Sequence, residues 1–304
     1  MVGGDVGPTG AAGDALAVAF EGERRRLVGL AYRMLGTLTD AEDVVQEAWL
    51  RLSRTGNDVV DLPAWLTTVT SRLCLDRLRA LRRAREEYVG PWLPEPLVTG
   101  LADTAPGPAD LLELDDSVRL ALLLVLEELS PEQRVAFVLH DVFAVPFDEV
   151  AATLGVSASA ARQHASRARR AVRDRAPSRG VSPERERAAL EAFRAAALGG
   201  DVMRLLAVLA PDVVLRSDGG GVVSAALRPV VGADKVARLL AGLVGLAEGP
   251  IESTDVLVNG EPGVVVRAVA RGVRETTVVV PHVGPDGRVV AVDIVRNPGK
   301  LRHL

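Results

Sequence analysis

The chain has 304 residues, a formal net charge of -4 and 48% hydrophobic residues, which is enough apolar content for more than one folded core and excludes an intrinsically disordered protein. Its longest uninterrupted aliphatic run lies near residues 121–126 and is far shorter than the roughly 20 apolar residues of a membrane-spanning helix, so we predict no membrane segment. A single cysteine, Cys74, excludes an intrachain disulfide and fits a reducing cytoplasm.

The amino-terminal part of the chain predicts a leader followed by helices. Residues 1–14 are glycine-rich and lack the basic and apolar segments of a secretory signal, so we predict a disordered leader. Helical periodicity follows over residues 15–86, and its clearest helix begins with Thr39 as the predicted N-cap and Glu42 as its capping-box partner. One face of this helix carries the acidic strip, which consists of Asp43, Gln46, Glu47 and Leu50.

A second helix begins near Pro63 and ends in an arginine cluster, with six arginines against one aspartate over residues 72–85. Cations are favourable near a helix carboxyl end, so the cluster fits a solvated helix end and DNA contact equally well. Residues 87–112 are rich in proline and glycine and predict a linker. Part of this linker should pack against the protein, because it carries the large apolar residues Trp92 and Leu93.

The strongest nucleic-acid signal lies between residues 147 and 175. A short helix ends at Gly155, and Ser157 caps a longer helix after the turn, which is the pattern of a helix-turn-helix. The second helix has a narrow face of alanines, and its other faces carry arginines with one acid, Asp174, near the end. A solvated helix normally mixes glutamate with arginine, so the pattern favours DNA contact.

These two helical units, in this order, resemble the extracytoplasmic-function group (group 4) of the sigma-70 family of RNA polymerase sigma factors. The stretch AYRMLGTLTDAEDVVQEAWLRL in residues 15–86 is similar to sigma region 2, and LSPEQRVAFVLHDVF in residues 113–176 is similar to sigma region 4. The resemblance implies a subunit that binds core RNA polymerase, recognises the -35 and -10 promoter elements and starts transcription.

The resemblance also implies which residues contact each partner. The acidic strip would bind the β′ clamp helices of the polymerase, and region 4 would bind the β flap and the -35 element. The predicted -35 contacts are Ser159, Arg162, Gln163 and Ser166 on bases, with Arg167, Arg169, Arg170 and Arg173 on phosphates. The predicted -10 contacts are Asn57, Arg72, Arg79, Arg82 and Arg83.

Residues 182–304 continue beyond the usual end of such a sigma factor. Two helices separated at Gly199 and Gly200, a strand that ends in DGGG, a further helix and four β-rich runs predict an α+β domain. This domain resembles the cone-shaped SnoaL-like or NTF2-like fold. The predicted protein is therefore multi-domain, with two all-α units followed by one α+β unit, as in the subgroup of sigma factors typified by sigma factor J.

Three short motifs, WLPEP, DGGG and NPGKL, further support that subgroup. The resemblance implies that they make the regulatory contacts of the C-terminal domain. The residues concerned are Trp92, Leu93, Pro94, Glu95, Pro96, Asp218, Gly219, Gly220, Asn297, Pro298 and Lys300. The subgroup tends to have lysine after the three glycines and aspartate before the last lysine, where this chain has Val222 and Gly299.

Two other functions stay open from the sequence. One is a helix-turn-helix regulator that senses a small ligand in a cone-shaped domain. The other is a fused isomerase-like or cyclase-like enzyme, whose acid–base candidates are Asp218, Asp255, Asp293 and His282. We favour a turn role for Asp218 and a structural role for His282, and we expect no enzymatic activity, cofactor or metal ion. The acidic strip favours the sigma factor, because a simple repressor has no use for it.

Overall fold

The computed structural model describes residues 8–55, 59–100, 119–175 and 182–304. They form two compact units. The first contains the described residues up to 83 together with residues 125–174, and the second contains residues 84–100, 119–124 and the chain from residue 182 onward. The described part of the predicted linker therefore groups with the C-terminal domain.

Helices account for nearly all the regular structure of the first unit. They are α1 (Pro8–Leu35), α2 (Leu38–Thr55), α3 (Leu62–Glu86), α4 (Leu120–Glu127), α5 (Pro131–Phe137), a π-helical turn (Val138–Val142), α6 (Phe147–Leu154) and α7 (Ala158–Arg175). The last three residues of α3 and residues 120–124 of α4 belong to the second unit. Helix α1 includes residues 8–14, so the prediction of a disordered leader is wrong for that part. The physical reason is local, since Pro8 suits the first turn of a helix and alanines follow it.

The amino terminus of α2 corrects the predicted cap. The Thr37 hydroxyl accepts a 3.3 Å hydrogen bond from the Asp40 amide and donates a 2.6 Å hydrogen bond to the Asp40 carboxylate. The cap is therefore two residues earlier than the predicted Thr39, which is an exposed residue inside the helix. Both threonines precede an acid by three residues, so the sequence pattern alone allowed either position.

The predicted core face of α2 is confirmed. Ala41, Val44, Val45, Ala48 and Leu52 are buried, as their helical spacing indicates. Trp49 lies beside them with its ring centroid 5.0 Å from that of Phe20 in α1. Burial of this face turns the other side of α2, with the acidic strip, toward solvent.

The second unit combines three helices with a seven-stranded sheet. The helices are α8 (Pro183–Leu198), α9 (Val202–Val208) and α10 (Ala233–Gly245), and the strands are β1 (Val98–Thr99), β2 (Leu209–Asp218), β3 (Val230–Val231), β4 (Glu252–Val258), β5 (Glu261–Ala270), β6 (Val273–Val283) and β7 (Val289–Val295). The strand order is β1-β4-β5-β6-β7-β2-β3, and only the β2–β7 pair is parallel among these strands. The prediction of an α+β domain is confirmed.

Two apolar cores lie within this unit. One contains Phe193, Leu240 and Ile294 and packs the helices against the sheet. The other contains Leu93 and Leu120 together with residues of β4 to β7. Strand β1 pairs with β4, so the linker adds an edge strand to the sheet. Only two residues long, β1 is too short for its side-chain alternation to be recognised in the sequence.

We expect Thr37→Ala to lower the free energy of unfolding by about 1 kcal/mol, because the amide of Asp40 loses its capping acceptor. Urea unfolding followed by circular dichroism measures the change. Thr39→Ala is the matched control and should have a smaller effect, because Thr39 is exposed. A larger loss of stability in the Thr39 variant would contradict the observed cap.

Candidate nucleic-acid interface and linker site

The helix-turn-helix is formed by α6, a short turn and α7. Gly155 ends α6 with φ of 69°, a left-handed conformation that a side chain would strain. The Ser157 hydroxyl accepts a 3.2 Å hydrogen bond from the Ala160 amide at the start of α7. Ala161, Ala165 and Ala168 are fully buried. The small face of α7 therefore packs inward, and the polar side chains face outward.

The polar side of α7 is an open cationic surface. The exposed residues on it are Ser159, Arg162, Gln163, Ser166, Arg167, Arg170 and Arg173. The Arg162 guanidinium lies 5.3 Å from the centroid of the Phe147 ring, which supports its side chain. Arg169 differs from the others, since it is half-buried and donates a 3.0 Å hydrogen bond to Asp141. The surface has the long donors that base and phosphate contacts require.

The acidic strip lies on the solvent side of α2. Asp43, Gln46 and Leu50 are exposed, and Glu47 is half-buried with a 3.0 Å ion pair to Arg51. Leu50 is 41% exposed although it is a large aliphatic residue. An acidic surface with one apolar residue at its end suits a basic partner that also offers an apolar contact.

The arginines of α3 make contacts inside the first unit. Arg79 donates hydrogen bonds of 2.9 and 3.2 Å to Glu132 of α5, and Arg72 donates a 3.0 Å hydrogen bond to the Ala152 carbonyl of α6. Arg82 is exposed. Two further predicted -10 contacts are not covered, because Asn57 and the side chain of Arg83 lie outside the described residues. Two of the predicted arginines are thus occupied by residues that follow the linker.

A fully buried arginine joins the helices on either side of the linker. Arg134 of α5 donates a 2.7 Å hydrogen bond to the Met34 carbonyl and a 2.8 Å hydrogen bond to the Leu126 carbonyl, and it pairs with Glu127 at 2.6 Å. Met34 is in the last turn of α1, where helix carbonyls lack partners within the helix. Burial lowers the pKa of Arg134 to about 9, so this cation stays charged at neutral pH.

The second site is the linker site, which we define as Tyr88, Leu93, Asp218, Asn297 and Lys300. Asp218 ends β2 and is fully buried. Its carboxylate accepts hydrogen bonds from the Tyr88 hydroxyl at 2.6 Å, the Lys300 ammonium at 2.7 Å, the Gly220 amide at 2.9 Å and the Leu93 amide at 3.0 Å. Four donors compensate for the removal of this charge from water. The linker is thereby attached to the C-terminal domain.

Lys300 is the cation of the linker site. It is buried, it donates a hydrogen bond to the Leu93 carbonyl, and its Nζ lies 4.0 Å from the centroid of the Trp92 ring. One ammonium therefore contacts the backbone of the linker, an aromatic ring of the linker and the carboxylate of Asp218. The lysine of the NPGKL motif thus contacts both the linker and the end of β2.

Asn297 and Gly220 shape the rest of the linker site. The Asn297 side-chain amide donates a 3.0 Å hydrogen bond to the Tyr88 hydroxyl. Gly220 has φ of 67°, and a Cβ there would lie 2.5 Å from Cγ of Asn297. Burial, followed by the hydrogen bond to Asp218, raises the pKa of Tyr88, so this phenol keeps the proton that it donates.

The structure brings together most of the predicted regulatory contacts and adds two residues. Leu93, Pro94, Glu95 and Pro96 are buried. Sequence reasoning missed Tyr88, which no motif included, and Asn259. The Asn259 side-chain oxygen accepts a 3.0 Å hydrogen bond from the Leu97 amide, and the Asn259 backbone amide donates a 2.8 Å hydrogen bond to the Leu97 carbonyl. The Asn-Gly pair at 259–260 is a turn signal that could have marked this position.

The remaining acid–base candidates are held in ion pairs. Buried Asp293 accepts hydrogen bonds from Arg216 at 2.6 Å and from His282 at 2.8 Å, and Asp255 pairs with Arg194 at 3.2 Å. Burial opposes ionisation of both members of the buried pair. Even so, the His282 hydrogen bond and charge keep the pKa of Asp293 below its ordinary value, and Asp293 raises the pKa of His282. The expected structural role of His282 agrees with this geometry.

The part of the chain that the structure describes contains no cluster of histidine, cysteine, aspartate and glutamate side chains suited to a metal ion. Among the helices described here, none combines the length and the apolar character that crossing a bilayer requires.

Family models match both helical regions of the chain, and one relative also covers most of the C-terminal domain. Residues 19–84 match the family described as Sigma-70 region 2, and residues 119–172 match Sigma-70, region 4. The chain is 44% identical over 289 residues to the ECF RNA polymerase sigma factor SigJ of Mycobacterium tuberculosis. This match covers 93% of the chain and 92% of the relative. It is 43% identical over 227 residues to the probable ECF RNA polymerase sigma factor SigI of the same organism, over 73% of this chain and 75% of that one.

The solved structures agree with the curated relatives. The crystal structure of the Mycobacterium tuberculosis extracytoplasmic function sigma factor SigJ superposes with a TM-score of 0.73 at 42% sequence identity. The match covers 94% of this chain and 98% of that chain. The similarity therefore includes the C-terminal domain as well as the two helical regions.

We expect Asp218→Asn to reduce the free energy of unfolding of the second unit by about 3 to 5 kcal/mol, because it leaves the Lys300 ammonium buried without its carboxylate. Hydrogen exchange of the peptide that contains residues 88–98 should become faster in the same variant. The matched control is Asp212→Asn, an exposed residue of the same strand. Equal exchange in the two variants would contradict the linker site.

The His282–Asp293 pair should make stability depend on pH. The folded pKa of His282 lies above its ordinary value of 6.5, so its stabilising contribution is complete below that value and is lost as the pH rises through the folded pKa. We expect the difference in Tm between the wild-type protein and His282→Gln to shrink as the pH rises from about 6.5 through the folded pKa of His282.

His303 provides a control of opposite sign. Burial lowers the pKa of His303 from 6.5, and a hydrogen bond with the Pro96 backbone offsets only part of this effect. Protonation of His303 therefore opposes folding. The difference in Tm between the wild-type protein and His303→Gln should therefore grow as the pH rises toward about 6.5. The same trend in both variants would count against the assigned pKa directions.

Proposed function

We propose that this chain, which belongs to the extracytoplasmic-function sigma factors of RNA polymerase, starts transcription under the control of its own C-terminal domain. The 44% identity to SigJ over 93% of the chain is the observation that assigns the chain to this family. The relatives imply a transcription factor that binds core RNA polymerase and promoter DNA. We place its activity in the cytoplasm, because both partners are there.

The exposed surfaces of the first unit support specific partner contacts. The acidic strip binds the β′ clamp helices, since Asp43 and Gln46 are exposed and Leu50 offers an apolar contact. Region 4 binds the β flap, and the open side of α7 reads the -35 element. The arginines of α3 hold the single-stranded -10 element, because cations that follow the backbone suit single strands.

The hydrogen bonds of Arg72 and Arg79 inside the first unit belong to a state of the protein that precedes DNA binding. Glu132 is an anion that competes with the promoter for Arg79, and the Ala152 carbonyl occupies Arg72. The -10 strand can use both guanidiniums only after these hydrogen bonds break. We therefore infer that regions 2 and 4 separate when the promoter is bound.

The linker site supports control in cis. The segment that connects regions 2 and 4 is attached to the C-terminal domain by Asp218 and Lys300. A domain that holds this segment determines whether the two regions can separate. The C-terminal domain thus performs a task for which other sigma factors need a second protein, and a small ligand in this domain is a candidate signal.

The function is tested by in vitro transcription with core RNA polymerase on an enriched promoter pool. We compare the full chain with truncations that end near Arg179 and near Val295. The second truncation removes only the last few residues, which include Asn297 and Lys300. We expect core-dependent initiation by the full chain and a changed transcript yield after truncation. Asp43→Arg should abolish initiation, because it reverses the charge of the acidic strip.

Two control variants separate the claims. Asp212→Arg makes the same charge change at an exposed position of the second unit and should leave initiation unchanged. Lys300→Met should shift the yield in the same direction as the Val295 truncation, whereas Lys235→Met, an exposed lysine, should not. Opposite shifts would contradict control through the linker site. Specific duplex binding without any core-dependent initiation would instead support a ligand-sensing regulator.

A further inference from the structure

The C-terminal domain contains an apolar cavity that the contacts of the linker site do not use. It has a volume of about 140 Å³ and lies between the helices α8 and α10 and the strands β5 to β7. All but three of its lining side chains are apolar. A cavity of this size with aliphatic walls binds small apolar molecules more readily than water.

The three polar residues lie at the strand side of the cavity. Glu275 and Thr277 are two residues apart in β6, so both face the cavity, and Arg296 follows β7. Arg296 and Glu275 form an ion pair with each other, so their charges compensate. Within the described part of the chain, no hydrogen bond engages the Thr277 hydroxyl. The polar end is therefore neutral and retains a hydroxyl that can donate and accept.

The cavity and the linker site share the end of β7. Ile294 and Arg296 line the cavity, and the next residue, Asn297, belongs to the linker site. The Arg296 amide also donates a 2.8 Å hydrogen bond to the carbonyl of Asp218. A displacement of this segment by a bound molecule acts directly on residues that hold Asp218 and Tyr88.

We propose that the cavity binds a small, uncharged, mainly aliphatic molecule with one hydrogen-bonding oxygen, and that its binding changes how firmly the linker site holds the linker. The oxygen of the bound molecule lies at Thr277, and its hydrocarbon chain lies against the aliphatic walls of the cavity. An anionic head group is excluded, because it would have to displace Glu275 from Arg296. The regulatory half of this inference rests on the proposed function, whereas the binding half does not.

The chain offers a direct probe of binding. Its two isoleucines, Ile251 and Ile294, both line the cavity. We label the isoleucine methyl groups of the full chain and titrate n-hexanol while recording NMR spectra. Both methyl resonances should shift and saturate. Hexanoate should bind about tenfold more weakly or worse, because its charge is buried without a partner. Absence of saturation with hexanol, or equal affinity for hexanoate, would overturn the ligand class.

Cavity-filling variants establish the position of the bound molecule. Ala268→Leu and Ala197→Leu place a larger side chain at the cavity wall and should abolish the saturable shifts. Ala207→Leu makes the same change at an exposed position of α9 and should leave them intact. Two filling variants in different elements protect the test against misfolding of one. Unchanged shifts in a folded filling variant would show that hexanol binds elsewhere.

Coupling to the linker is measured separately. The Leu93 amide donates to Asp218, so its hydrogen-exchange rate reports on the linker site. Saturation with hexanol should change this rate about fivefold or more in the wild-type protein and leave it unchanged in Ala268→Leu. Saturable binding with an unchanged Leu93 rate would overturn the coupling and retain the binding site. Neither result depends on transcription, so failure of the proposed function stays distinguishable.

Discussion

A carboxylate removed from water must be matched by donors, and at Asp218 three of the four donors come from distant parts of the chain. Tyr88 and Leu93 precede the carboxylate by 130 and 125 residues, and Lys300 follows it by 82 residues. Each donor alone would be too weak to position the linker, but together they satisfy a charge that is costly to leave unpaired. The buried residues Leu93 to Pro96 and the 3-10 turn Pro298–Lys300 after β7 are therefore joined at this one carboxylate.

Local patterns were sufficient to predict much of the fold. The core face of α2, the helix-turn-helix and the α+β character of the C-terminal domain depend on periodicity, capping residues and turn glycines, which a single sequence displays. The misplaced cap at Thr39 shows the limit of such patterns, because Thr37 and Thr39 each precede an acid by three residues and only the path of the chain after Gly36 decides between them. Strand β1 was missed for a different reason, since its pairing with β4 requires contacts across 160 positions of sequence.

The sites divide in the same way. The acidic strip and the open side of α7 are single helix faces, so spacing and composition identified their residues. Apolar residues predicted that the linker packs against the protein, but the contacts of the linker site were predicted through resemblance alone. That resemblance omitted Tyr88, whose partners Asp218 and Asn297 lie far along the chain. No sequence rule indicates that Arg79 meets Glu132 or that Arg134 is fully buried against Met34. Long-range ion pairs depend on the tertiary structure, so they cannot be predicted from the local pattern of a single sequence.

The separation of the linker-site residues along the chain also sets an order in time. Lys300 follows Leu93 by 207 residues, and synthesis at about 5 to 20 residues per second places roughly 10 to 40 seconds between them. In the last part of that interval, after Arg175 at the end of α7 has been made, both helical regions are complete while the linker still lacks its cation. A newly made molecule therefore passes through a period in which its sigma regions are folded but not yet controlled by the C-terminal domain.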